Sequence, residues 1–147
     1  MSNPANTVTV IGRLAADPYT ASNSNGSTSV KFTVMADNNF KSHDGKVKAE
    51  PITFQDFVSA DHTLEQTVYS RMHQGDLVAI SGSLTAVVYT DKVSGETVRK
   101  GLTVRVDSVD LLEPKGVVAE RLARRIAAVQ AVNADASAQT AGAVAEA

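Results

Sequence analysis

Over roughly the first three-quarters of the chain, apolar and polar residues alternate with a period of about two, so the pattern predicts a protein built mainly from strands. "VTVIGRL", from Val8 to Leu14, reads as a first strand, with Gly12 at a bulge or bend. The polar stretch "AADPYTASNSNGST" that follows is rich in turn formers and reads as a connection. In "SVKFTVMADN" Val30, Phe32, Val34 and Ala36 share one face, and Lys31, Thr33 and Met35 the other. Asp44-Gly45 then predicts a hairpin turn. A third strand is expected from Ile52 to Ala60.

The period changes at "DHTLEQTVYSRMHQGD". Leu64, Val68 and Met72 recur every four residues, Asp61 can cap and Gly75 can terminate, which predicts a helix. A long fourth strand starts at Leu77, with Val78, Ile80, Leu84, Ala86 and Val88 on its apolar face and Tyr89 on the other. Ser94-Gly95 turns the chain into a fifth strand, with Val98, Leu102, Val104 and Val106 inward and Arg99, Thr103 and Arg105 outward. Pro114 and Gly116 end this domain. "VVAERLARRIAAVQAV" predicts a helix with Val118, Leu122, Ile126 and Val129 on one stripe. The expected organisation is therefore a domain over 1–113, a linker and amphipathic helix over 114–134, and a flexible, alanine-rich tail over 135–147.

Composition narrows the function classes. The chain has 147 residues and no cysteine, so disulfides, thiolate metal sites and cysteine nucleophiles are excluded. His43, His62 and His73 are scattered without metal-ligand spacing, and no phosphate loop, nucleophile motif or carboxylate pair stands out. The expectation is a non-enzyme with no metal and no cofactor. No apolar run reaches membrane-spanning length and "MSNPANT" lacks the features of a secretory signal, so a cytoplasmic protein is expected.

A formal net charge of -2 does not itself suggest a polyanion partner, but the distribution does. Lys31, Lys41, Lys46 and Lys48 outnumber Asp37 and Asp44 across one hairpin. Lys92, Arg99, Lys100 and Arg105 outnumber Asp91 and Glu96 across the last one. Between them, Glu50, Asp56, Asp61, Glu65 and Asp76 face only Arg71. The cations gather on two hairpins, and Tyr89, Arg99, Arg105 and Lys31 all fall on faces opposite the apolar register. Cations plus flat rings are what binding of single-stranded nucleic acid requires.

Three strands, one helix and two strands is also the element order of an OB-fold. "VTVIGRLAADP", "VKFTVMADN", "GDLVAISGSL", "YTDKVSGE" and "VRVDSVDLLEPK" occur in that sequence, and together they resemble the bacterial-type single-stranded DNA-binding proteins. The resemblance covers about Val8 to Lys115. It implies a five-stranded OB-fold barrel with a helix between strands 3 and 4 and a C-terminal helix. It also implies a homotetramer, with a dimer as the alternative, that coats single-stranded DNA in replication, recombination and repair. The family stacks bases on rings at three places, which match Phe40, Phe54 and Tyr89 here, while Phe32 and Phe57 are expected in the core. Phosphate contacts fall to Lys31, Arg99, Arg105, Lys41 and Lys48.

Two departures from the family matter. Strand 4 reads Thr85, Ala86, Val87, Val88 before Tyr89, where basic residues are common. The last residues are alanine-rich with Asp135 and Glu146 as the only acids. Replication or repair proteins are therefore expected as partners only by a route other than an acidic tail tip, which suits a phage- or plasmid-type member and a host-cytoplasm location. A protein-interaction or assembly subunit with weak DNA binding is the alternative reading. An oligosaccharide-binding or nuclease domain has no supporting residue pattern.

Overall fold

A computed structural model describes residues 3–145, with side chains described up to residue 142. Contacts divide the chain into two units, residues 1–112 and 113–147. The first holds six strands: β1 (Val8–Leu14), β2 (Tyr19–Ser22), β3 (Thr28–Lys41), β4 (Val47–Val58), β5 (Leu77–Thr90) and β6 (Thr97–Leu111). The second holds one helix, α1 (Lys115–Ala145).

The sheet order is β1-β5-β6-β4-β3-β2, and β1 also pairs with β3 through Arg13 with Met35 and Leu14 with Val34. That extra pairing closes β1, β5, β6, β4 and β3 into a five-stranded barrel, with β2 added on the free part of the β3 edge. Neighbours are antiparallel except β4 and β6, which run parallel at Phe54 with Val104 and Gln55 with Arg105. A closed barrel leaves few unpaired edges. The architecture is mainly β, and it is the OB-fold that the element order predicted.

Alternation along the strands builds the core. Val30, Phe32 and Val34 of β3, Phe54 and Val58 of β4, Val78 and Ile80 of β5, and Val104 and Val106 of β6 all point inward and are buried. Phe32 and Phe54 lie opposite each other, with ring centroids 5.4 Å apart and planes only 11° from parallel. Tyr69 closes one end of this stack, 5.9 Å from Phe32. Two glycines allow close backbone approach. A Cβ on Gly12 would stand 2.3 Å from the Met35 carbonyl oxygen, and one on Gly82 would stand 2.1 Å from that of Arg105.

The expected helix between strands is replaced by two 3-10 turns, Leu64–Gln66 and Val68–Arg71. Thr67 separates them in an extended conformation, its hydroxyl donating to the Leu64 carbonyl at 2.6 Å. Tyr69 and Met72 are the buried residues of this segment, with Leu64 and Val68 packed beside the core. The four-residue spacing therefore did mark a buried face, but β-branched Thr67 and Val68 break it into short turns.

Other boundaries also shift. The connection after β1 contains the short strand β2, and β4 begins at Val47 rather than Ile52. Strands β3 and β4 thus extend past the barrel as one arm, and β5 and β6 as another, in which every β5 residue from Leu84 onward is exposed. The side chain of Asn6 stands in for a strand at the root of this second arm. Its Oδ1 accepts from the Leu84 amide at 2.9 Å, and its Nδ2 donates to the Leu84 carbonyl at 3.0 Å.

Helix α1 runs past the expected 114–134 segment and through most of the stretch expected as a flexible tail. Its sequence there is alanine-rich, and alanine has the best intrinsic helix propensity. Residues 146 and 147, the end of that tail, lie outside the described residues. Ion pairs join Glu113 to Arg121 and Glu120 to Arg124 at the start of this unit.

Candidate nucleic-acid interface

The even positions of β3 and β4 face the core, so the odd ones form the outer surface. Register then aligns a row across five strands: Tyr19, Lys31, Gln55, Arg105 and Ser83 lie side by side on β2, β3, β4, β6 and β5. The next row toward the arms is Thr33, Thr53, Thr103 and Thr85, with the Thr103 hydroxyl donating to the Thr53 carbonyl at 3.1 Å. Lys31, Thr53, Gln55, Val87, Lys100 and Thr103 line a groove of about 300 Å³ on this surface.

Tyr89 stands two residues beyond Val87 on the same side of β5 and is 51% exposed. Its cross-strand partner is Val98, an aliphatic support for one side of the ring. Phe40 is 77% exposed near the tip of the other arm, in a stretch where the β3–β4 pairing is irregular, with Lys41 beside it. The structure thus brings Tyr89, Lys31 and Arg105 onto one surface and sets Phe40 and Lys41 on the neighbouring arm.

Three other expected site residues fall elsewhere. Phe54 is fully buried against Phe32, so it has no free face for a base; it is a core residue. Arg99 pairs with Val88 rather than Tyr89, because a bulge interrupts the β5–β6 register between Val87 and Val88. The extra residue turns Arg99 to the reverse side of the arm and leaves Lys100 lining the groove. Lys48 shares the even register of Phe54, and so the reverse side of its own arm.

The same geometry supplies residues that the sequence reading missed. Phe57, expected in the core, is 49% exposed in the odd register of β4. Tyr19 is 67% exposed and lies directly opposite Lys31. The signal for Phe57 was present: Ile52, Phe54 and Val58 are all apolar and even, so the intervening odd face belongs outside. Nothing comparable announced Tyr19, since a four-residue strand among turn formers leaves no periodic trace. Tyr89 and Phe57 sit at opposite ends of the surface, roughly 30 Å apart by strand rise and spacing.

Two of the acids are engaged in hydrogen bonds within the fold. Asp56 accepts the Tyr69 hydroxyl, and Asp76 is buried in the turn before β5, where its carboxylate accepts from the His73 amide at 2.8 Å. Burial, then the hydrogen bond and charge of Asp56, push the Tyr69 phenol far above the ordinary tyrosine range. Tyr69 is thereby a fixed donor rather than a titrating group. Among the described residues, no set of three or more His, Asp or Glu side chains is placed to hold a metal ion. No helix among them is long and apolar enough to cross a membrane.

No curated protein matches the chain. One family model does: the Single-strand binding protein family, over residues 5–112, the whole barrel.

Proposed function

The chain belongs to the single-strand binding protein family, whose members bind single-stranded DNA, and on that premise we propose how this barrel holds its strand. The DNA crosses the outer surface from the two arms to the β2–β3–β4 end. Bases stack on Tyr89 and Phe40 at one end and on Phe57 and Tyr19 at the other. Lys31, Lys100 and Arg105 meet the phosphates between them, with Lys41 assisting at the arm. The observation that carries this reading is the alignment of Tyr89, Phe57 and Tyr19 with Lys31 and Arg105 on one continuous face, with Phe40 exposed on the neighbouring arm. Rings tolerate any base and cations read only charge, so binding is independent of sequence. The function is protection of exposed single strands in replication, recombination and repair, by a homotetramer in the cytoplasm, without catalysis.

The test is a titration with oligo-dT across a salt series, followed by tyrosine fluorescence, since the chain has no tryptophan to mask it. Tyr89→Ala weakens binding by about 1–3 kcal/mol, and the log-log salt slope falls by about 0.7 for each phosphate contact removed with Lys31 or Arg105. Equal affinity for single- and double-stranded DNA at moderate salt would overturn the proposal. Native mass spectrometry decides the tetramer.

A further inference from the structure

The helical unit carries a pattern that the barrel's chemistry does not use. Ala119, Leu122, Ile126, Val129, Asn133, Ala136 and Thr140 are spaced alternately by three and four residues along α1. That is an unbroken heptad seam, the spacing at which two helices wind around each other. Leu122 is half-buried, but Ile126 and Val129 are 57% and 55% exposed, and the seam is exposed from there to Thr140. From residue 119 to 140 no charged residue lies on the seam. Glu120, Arg121, Arg124 and Asp135 all fall on the outer positions, and only Arg125 flanks it.

We propose that α1 binds a second copy of this chain, forming a parallel, in-register, two-stranded coiled coil along this seam. The periodicity selects a helix as occupant, because another helix of matching period can follow a stripe about 32 Å long from residue 119 to 140. The seam itself selects the same chain and the direction. In parallel register every layer meets its own copy, so Asn133 faces Asn133 and the two amides satisfy each other. An antiparallel pairing sets Asn133 against Val129 or Ala136, according to register, and strands a polar group among apolar ones. Thr140 needs no partner across the interface, since its hydroxyl donates to the Ala136 carbonyl at 2.9 Å. Flanking positions agree: in parallel register Arg125 approaches Gln130 of the other copy, with no like-charge contact. One end of the seam is aliphatic and specifies strength; the Asn133 end specifies register.

The consequence for the barrel is mechanical. Joining two helices makes binding of the second barrel to the same strand an intramolecular event, with avidity set by the tether.

Because the chain has no cysteine, single cysteines report the seam directly. In the full chain, Val129→Cys lies on the seam and Ala131→Cys points away from it. Under mild oxidation, Val129→Cys shifts to a disulfide-linked dimer on a non-reducing gel, whereas Ala131→Cys stays at the mass of one chain. Adding Leu122→Asp and Ile126→Asp to Val129→Cys abolishes the link without touching the barrel, and oligo-dT binding per barrel verifies that the domain is intact. Equal linking at the two positions, as assembly through the barrels alone would give, overturns the proposal. So does no linking at Val129→Cys, which is the outcome if a different protein covers this face.

Discussion

Phe54→Ala and Phe57→Ala, three residues apart on one strand, are expected to fail in different ways. Phe54 is fully buried with its ring stacked on Phe32 at 5.4 Å. An aromatic side chain of that kind covers about 150–250 Å², which at about 25 cal/mol per Å² sets an upper range of roughly 4–6 kcal/mol. Core Phe→Ala changes cost about 3–5 kcal/mol. Against a domain stability of about 5–15 kcal/mol, this lowers Tm by about 10 °C or more. Phe57 is half exposed in the odd register, so its removal changes stability by less than about 1 kcal/mol. If it stacks a base, the loss appears in binding instead, at about 1–3 kcal/mol, or roughly 5- to 150-fold in Kd. Thermal melts and oligo-dT titrations on the same preparations separate the two. Should Phe54→Ala fail to fold, Phe54→Leu keeps most of the volume and is expected to bind DNA normally with a lowered Tm. A Phe54 variant with unchanged Tm and weakened binding, beside a silent Phe57→Ala, would refute the assigned register.

Two further outcomes follow from the core. Tyr69 has its pKa raised on folding, so its contribution to stability is present below the unfolded value near pH 10 and is lost as pH rises above it. Tyr69→Phe is therefore expected to lower stability at neutral pH by roughly 1–3 kcal/mol and to flatten the alkaline loss above about pH 10, measured by urea unfolding at several pH values. Gly82→Ala drives a methyl to 2.1 Å from the Arg105 carbonyl oxygen and 3.0 Å from Val104 Cγ1. It is expected to cost at least about 1–3 kcal/mol by urea midpoint, and a neutral result would refute the tight crossing of β5 and β6 there.

Much of the barrel was legible because its strands are half buried. The alternation at Val30, Phe32 and Val34, or at Val78 and Ile80, has a two-residue period that only a one-sided strand produces. The misreadings have local physical causes. In the segment after β4 the apolar spacing suited a helix, but Thr67 adopts an extended conformation and bonds back to Leu64. At the site, one extra residue near Lys100 and Gly101 exchanged the roles of Arg99 and Lys100, and a bulge has no signature in hydrophobicity. Phe54 was drawn outward by its resemblance to a stacking position, although its even-numbered neighbours already placed it inside. The outward rings of Tyr89 and Phe40 and the cations Lys31 and Arg105 were readable, since each departs from the apolar register or lies in a polar turn.

The two hydrogen bonds between the Asn6 side chain and the Leu84 backbone mark where the β5–β6 arm leaves the barrel. Up to Gly82, β5 is held on both edges, by β1 on one side and β6 on the other. Beyond Leu84 only β6 holds it. Asn6 thus marks the point past which β5 is paired on one edge only, with Tyr89 five residues further along that stretch. One polar side chain outside the sheet thereby sets how long a stretch of β5 runs with a single paired edge.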